Sequence, residues 1–201
     1  MTMREAAKAV ARAAASVIVM PVCASFTMRA LLLGRDRALL GSTQALAIVP
    51  GLAGQYVRRA FLQYAIAHCH NSAVVEWGTT LSSAGARLDE GVYIGPSCHI
   101  GLAHVERDAL IASGVHVPSG AMTHGIDDLS VPIRDQPGRQ RLIRIGAGAW
   151  IGSAAVIMAD VGDHTVVGAG AVVTRALPAA VIAAGAPARV LRHRAPCREA
   201  V

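Results

Sequence analysis

Aromatic residues are scarce: two Trp, three Tyr and two Phe make up 3% of the 201-residue chain. That is too few for a protein that stacks nucleic-acid bases on aromatic platforms, so no nucleic-acid partner is expected. Cysteine is present but unpaired by pattern. Cys23, Cys69, Cys98 and Cys197 are scattered with no C-x-x-C spacing, which disfavours a disulfide framework or a cysteine zinc site and fits a reducing compartment. Charged residues are only 16% against 53% hydrophobic, which is not the composition of extended disorder. The length fits one domain, or one domain with an appendage.

Charge is unevenly placed. Residues 1–70 hold eight Lys/Arg against two Asp/Glu, whereas residues 71–201 hold eleven of each. The first third also has uncharged runs, 13–28 and 38–57. The first is short of the roughly 20 residues that span a bilayer and is interrupted by Pro21. The second carries Gly41, Pro50, Gly51 and Gly54, which argue against a simple spanning helix. Arg4, Lys8 and Arg12 before an apolar run imitate a signal peptide. The expectation is a helical region, residues 1–73, lying on a membrane interface with arginines at the headgroups. An amphipathic layer packed on protein is the alternative.

After about residue 73 an aliphatic side chain recurs every six residues: Leu88, Ile94, Ile100, Val105, Ile111 and Val117, then Ile145, Ile151, Ile157, Val161, Val167 and Val173. The spacing slips at 100–105 and 157–161, and one long interruption separates the two series. The position after the aliphatic is usually Gly, Ala or acidic, and four residues after it comes a small or slim side chain; His104 and Leu177 break that rule. Short strands, each turned through a third of a circle, build a triangular prism. The aliphatics stack inward, small residues fill the crowded interior and glycine permits the corners. A period of six excludes an amphipathic helix over 88–177. About five coils result, above the minimum of about three for a repeat stack.

This pattern resembles the hexapeptide-repeat family, which implies a mainly β fold, the left-handed parallel β-helix. It further implies acyltransfer from acetyl-CoA by homotrimers with active sites between subunits. The resemblance covers residues 74–192, with 193–201 as a tail. The interruption, loop 122–144, opens on Met122-Thr123-His124-Gly125-Ile126-Asp127-Asp128, and the chain re-enters through Ile145-Gly146-Ala147-Gly148-Ala149-Trp150-Ile151-Gly152. These segments resemble galactoside and maltose O-acetyltransferases. By that resemblance His124 is the general base that takes the proton of an acceptor hydroxyl. Asp127 and Asp128 are candidates to orient His124 or to contact the acceptor, being equally readable as solvated loop charges, and Trp150 is a candidate acceptor contact.

Gly168-Ala169-Gly170-Ala171-Val172-Val173-Thr174-Arg175, then Pro178 and Gly185-Ala186-Pro187-Ala188-Arg189, resemble the family's C-terminal coenzyme A signature. Matched one by one, Ser153, Ala169, Thr174, Arg175, Arg189 and Arg192 are the cofactor-binding candidates. A backbone N–H near Ser153 is the candidate oxyanion donor. Residues 1–73, with Pro50-Gly51 and Arg58-Arg59 leading to Cys69, resemble instead hexapeptide acetyltransferases of surface-polysaccharide pathways. The expected activity is acetyl-CoA-dependent O-acetylation of a sugar, on a lipid-linked or surface-polysaccharide glycan. The expected place is the cytoplasm, peripherally on the membrane through residues 1–70. No resident metal is expected. Two other readings compete: a metal enzyme resembling gamma-class carbonic anhydrases, using His99 and His104 with a third histidine, and a noncatalytic trimeric scaffold. His68, His70, His116, His164 and His193 are weaker candidates for chemistry.

Overall fold

The computed structural model describes residues 3–194; Cys197 lies outside the described residues. Four helices come first: α1 (Met3–Ile18), α2 (Met20–Leu33), α3 (Arg35–Ala47) and α4 (Gly51–Ala65). Pro21 sits at the start of α2, where a missing N–H costs nothing, and the chain bends by 45° between α1 and α2. Gly34 (φ 84°) separates α2 from α3. Val49 and Pro50 then split the second uncharged run between α3 and α4.

The prism follows. Its first coil is β1 (His68–Cys69), β2 (Val74–Val75) and β3 (Thr80–Leu81). The second is β4 (Arg87–Leu88), β5 (Tyr93–Ile94) and β6 (His99–Ile100). The third is β7 (Ala103–Val105), β8 (Leu110–Ile111) and β9 (His116–Val117). The fourth is β10 (Ile143–Ile145), β11 (Trp150–Ile151) and β12 (Val156–Ile157). Then come β13 (Val166–Val167), β14 (Val172–Val173), β15 (Val181–Ala184) and β16 (Arg189–His193). Strands in equivalent places pair in parallel and make three faces. Face A is β1-β4-β7-β10, extended by bridges Ile145–Val161 and Val161–Leu177; face B is β2-β5-β8-β11-β13-β15; face C is β3-β6-β9-β12-β14. Among the described residues only β16 is antiparallel, closing the edge of face B against β15. The solenoid thus begins at His68, ahead of residue 74, and its last strand runs to His193.

The repeated aliphatics fill the axis: Leu88, Val105, Ile145 and Val161 on face A, Ile94, Ile111 and Ile151 on face B, and Ile100, Val117, Ile157 and Val173 on face C have no exposure. Cys69, Val75 and Leu81 occupy the same places in the first coil. Leu177 is the next inward residue of face A, which explains why it does not fit the small-residue position.

The repeat's glycines do not make the corners as expected. Gly95, Gly152 and Gly168, each just after an inward aliphatic, are not among the positive-φ residues. They are needed because coils touch there: a Cβ on Gly152 would lie 2.5 Å from the Ala169 nitrogen. The left-handed corner falls two residues later. Gly114 and Gly148 occupy it, but so do Ser97, Asp108, Ala154, His164 and Ala180, with φ of 55–57°.

α3 and α4 plug the open end of the first coil. Phe61, Leu62 and Leu39 are fully or almost fully buried against it. No coil lies beneath to receive that coil's polar backbone groups, and unpaired buried backbone is costly. Side chains take over: Arg58 Nε donates to the Val75 carbonyl (2.9 Å), Arg59 Nη1 to Ala73 (3.3 Å) and Thr43 Oγ1 to Leu81 (3.1 Å). Asp36 accepts the Ala84 N–H at 2.8 Å. Arg58 also donates to Val49 and Leu46, and burial pulls its pKa below the usual value, with Glu76 opposing. These two arginines, expected to reach lipid headgroups, are instead buried in protein.

Candidate active site

The departures from six-residue spacing between inward side chains fall on one corner, from face C to face A: Leu81 to Leu88, Ile100 to Val105, Val117 to Ile145, Ile157 to Val161 and Val173 to Leu177. The long loop is the largest of these. It leaves after β9 and returns at Ile143 of β10, so Ile143 to Arg144 belong to the prism. Its two legs run together, with Arg141 N–H donating to Ser119 (2.8 Å) and Arg139 N–H to Met122 (2.6 Å). The Thr123–His124 backbone passes so close to Gly138 that no side chain fits there. An ionic clamp holds the returning leg. Arg144 forks onto both Glu106 oxygens at 2.6 Å and reaches Asp163, while Asp160 accepts Arg141 and the Arg144 N–H. These hydrogen bonds to Glu106 and Asp163 raise the Arg144 pKa.

His124 stands on this stem, exposed, and among the described residues nothing hydrogen-bonds its ring. Asp128 does not orient it. One carboxylate oxygen accepts the N–H (2.8 Å) and hydroxyl (2.6 Å) of Ser130, which lowers its pKa, and its carbonyl accepts Gln136. Asp128 shapes the loop tip, while Asp127 is exposed beside it.

Ser153 and Ala169 stack on a different edge, the corner from face B to face C. The Ala154 N–H donates to Ser113 and the Gly170 N–H to Ser153, at 2.9 and 2.8 Å. The N–H groups of Ser153 and Ala169 themselves have no acceptor among the described residues. Ser113 lies one coil earlier on this edge, its hydroxyl 3.4 Å from that of Ser153. Sequence reading missed it, although it follows Ile111 as Ser153 follows Ile151. Trp150 projects outward on face B between Leu110 and Val166, about half exposed.

The chain then folds over this end of the prism. The Gly185–Ala188 turn bonds to Val172 of β14 in both directions, and β14 leads to exposed Thr174 and Arg175. Arg189 and Arg192 lie on β16, and among the described residues their guanidinium groups hydrogen-bond only to the carbonyls of their neighbours in sequence. No carboxylate pairs with Arg175, Arg189 or Arg192 among the described residues. They contrast with Arg141 and Arg144, which are spent on the loop clamp.

The structure therefore gathers Ser153 and Ala169 on one edge, places the C-terminal arginines around the last coils and keeps His124 on another edge. It also separates His99 from His104. His99 projects from face C, where its ring lies 6.3 Å from that of His116. His104 projects from face A, 2.9 Å from Asp89. Among the described residues no group of three or more His, Cys, Asp or Glu is placed to hold a metal.

A parallel β-helix of six-residue rungs, with one histidine loop and an antiparallel final strand, defines a hexapeptide-repeat protein. No family model matches the chain. The galactoside O-acetyltransferase of Escherichia coli is 28% identical over 164 residues, 71% of this chain and 81% of that one. A solved maltose O-acetyltransferase from Clostridium difficile superposes with a TM-score of 0.70 at 20% identity, covering 82% of this chain and 89% of its own. A galactoside acetyltransferase solved with coenzyme A gives 0.62 at 23% identity, over 84% and 82% of the two chains. The chain thus has the hexapeptide-repeat fold and is similar in sequence to an acetyltransferase that carries it.

Proposed function

We propose that this enzyme transfers an acetyl group from acetyl-CoA to a hydroxyl of a sugar, with His124 as general base. The observation that carries the reading is the Ser153–Ala169 edge: a stacked pair of backbone N–H groups without an acceptor among the described residues, followed by arginines that no carboxylate among those residues pairs with. The pantetheine amides lie along that edge, and Arg175, Arg189 and Arg192 bind phosphate. Relatives named for galactoside and maltose O-acetylation, and one solved with coenzyme A, support the donor and the sugar acceptor.

In the reaction, the imidazole of His124 takes the proton of the acceptor hydroxyl as its oxygen attacks the thioester carbonyl. The carbonyl oxygen becomes an oxyanion held by the Ser153 N–H. Collapse reforms the carbonyl and breaks the C–S bond. The imidazolium returns its proton to the departing thiolate, leaving an acetyl ester and coenzyme A. Since His124 and Ser153 stand on different edges of one prism, two copies complete each site, which a homotrimer supplies. Acetyl-CoA as donor sets the work in the cytoplasm, and a lipid-linked glycan is the acceptor that fits a membrane-bound enzyme.

Acetyl transfer to a panel of sugar acceptors tests this. His124→Ala is expected to lose about 10²–10⁴ in rate while keeping acetyl-CoA affinity. A His124→Ala enzyme as fast as wild type contradicts the assignment.

A further inference from the structure

α3 and α4 are buried on the prism, but α1 and α2 cover them with one side only. Val17, Ile18, Met20 and Met28 on the other side are mostly exposed. The elbow between α2 and α3 is the most apolar point. Leu31 is 83% exposed, Leu32 81% and Leu33 54%. Consecutive helical residues are about 100° apart, so three successive exposed leucines cover about 200° of the last turn. A flat protein face meets one side of a helix, whereas a fluid apolar medium receives all three. Gly34 then turns the chain and Arg35 and Arg37 follow, both exposed.

We infer that the α1–α2 layer, led by the Leu31–Leu33 elbow, docks on an anionic phospholipid bilayer. The leucines enter the acyl region and Arg35 and Arg37 stay at the phosphates, with Lys8 and Arg12 adding attraction from α1. A groove of about 320 Å³ opens beside the elbow between α2 and α4, lined by Phe26, Thr27, Ala30, Leu31, Arg35 and Tyr64. Arg35 is fixed at it, 5.9 Å over the Phe26 ring and bonded to the Ala65 carbonyl. Apolar walls beside one guanidinium suit an acyl chain below its phosphate. Attachment is peripheral: among the described residues no single helix is long and apolar enough to cross a membrane, and the α1–α2 pair that passes by length and composition is bent.

The full chain is tested by sedimentation with vesicles of phosphatidylcholine alone and with 30% (about one lipid in three) phosphatidylglycerol. Wild type is expected to bind the anionic vesicles at least about tenfold more tightly. Leu31→Glu/Leu32→Glu is expected to lose that binding with its circular dichroism unchanged, the two side chains being in water already. Arg37→Glu is expected to weaken it and to reduce its salt dependence. No binding to anionic vesicles by folded wild type overturns the inference, as does undiminished binding by the leucine variant. A change of oligomeric state in the leucine variant, without vesicle binding by wild type, assigns the face to a second copy of the chain instead. None of these readouts involves acetyl transfer, so the result stands apart from the proposed activity.

Discussion

In the prism, Ile94, Ile111 and Ile151 stack on one another without exposure; in α1 and α2, Val10, Val17, Ile18 and Met28 remain about two-thirds exposed. The two regions have similar aliphatic content and different geometry. A solenoid wall turns alternate side chains inward and the next coil covers them, so each aliphatic has an assigned neighbour. A helix covers only the stripe that meets another surface. α3 and α4 have such a surface in the open end of the prism, whereas the outer side of α1–α2 has none in one chain. Burial here follows from what stands beside a residue, not from its hydrophobicity.

The largest effect that sharpens this contrast is a pair of truncations. Ile151→Ala is expected to cost about 2–5 kcal/mol, because a cavity opens between two flanking coils. Val17→Ala is expected to change stability by less than about 0.5 kcal/mol in the absence of lipid. Denaturant titration of both variants checks this, and similar losses would mean that the helical layer is covered in solution.

A smaller effect separates two roles within one tripeptide. Gly152→Ala is expected to destabilise by about 1–3 kcal/mol, since the new methyl meets the next coil. Ala154→Gly, two residues on, is expected to stabilise by up to about 1 kcal/mol by relieving a left-handed alanine. Thermal melts of the two variants should move in opposite directions. If both lower the melting temperature, the corner at Ala154 is not strained.

The smallest is a pH effect on face C. Burial, then the neighbouring His116, lowers the pKa of His99. Protonation is therefore disfavoured in the folded chain. As pH falls through the ordinary histidine value of about 6.5, the unfolded chain takes up the proton first and stability declines. His99→Gln should flatten that decline between pH 7 and the lowered value, and an unchanged slope would show that His99 titrates normally.

The inner stack was legible because its period is geometric: Leu88 to Val117 and Ile145 to Val173 name the side chains that fill the axis. The first coil was not, since Cys69 holds an aliphatic place and the sequence gives no sign that α4 ends against it. The two slips and the long interruption looked like separate irregularities. They share one corner, which three-dimensional stacking reveals and linear spacing does not. Arg58 and Arg59 fall in the basic segment whose arginines were expected at headgroups, because nothing local shows that the first coil's carbonyls need donors. At the site, resemblance named Ser153 and Ala169 one by one, and the stacking of coils is what sets them on one edge. The local sequence around Asp128 allowed a role toward His124, and the bonds to Ser130 and Gln136 give it a different one.

Calorimetric titration of acetyl-CoA tests the site most directly, because it needs no knowledge of the acceptor. Wild type and His124→Ala are expected to bind alike, with micromolar dissociation constants. Arg189→Glu/Arg192→Glu, altered only on the exposed edge strand, is expected to bind at least about tenfold more weakly. Absence of binding by folded wild type, or equal binding by the double variant, would contradict a coenzyme A site along the Ser153–Ala169 edge.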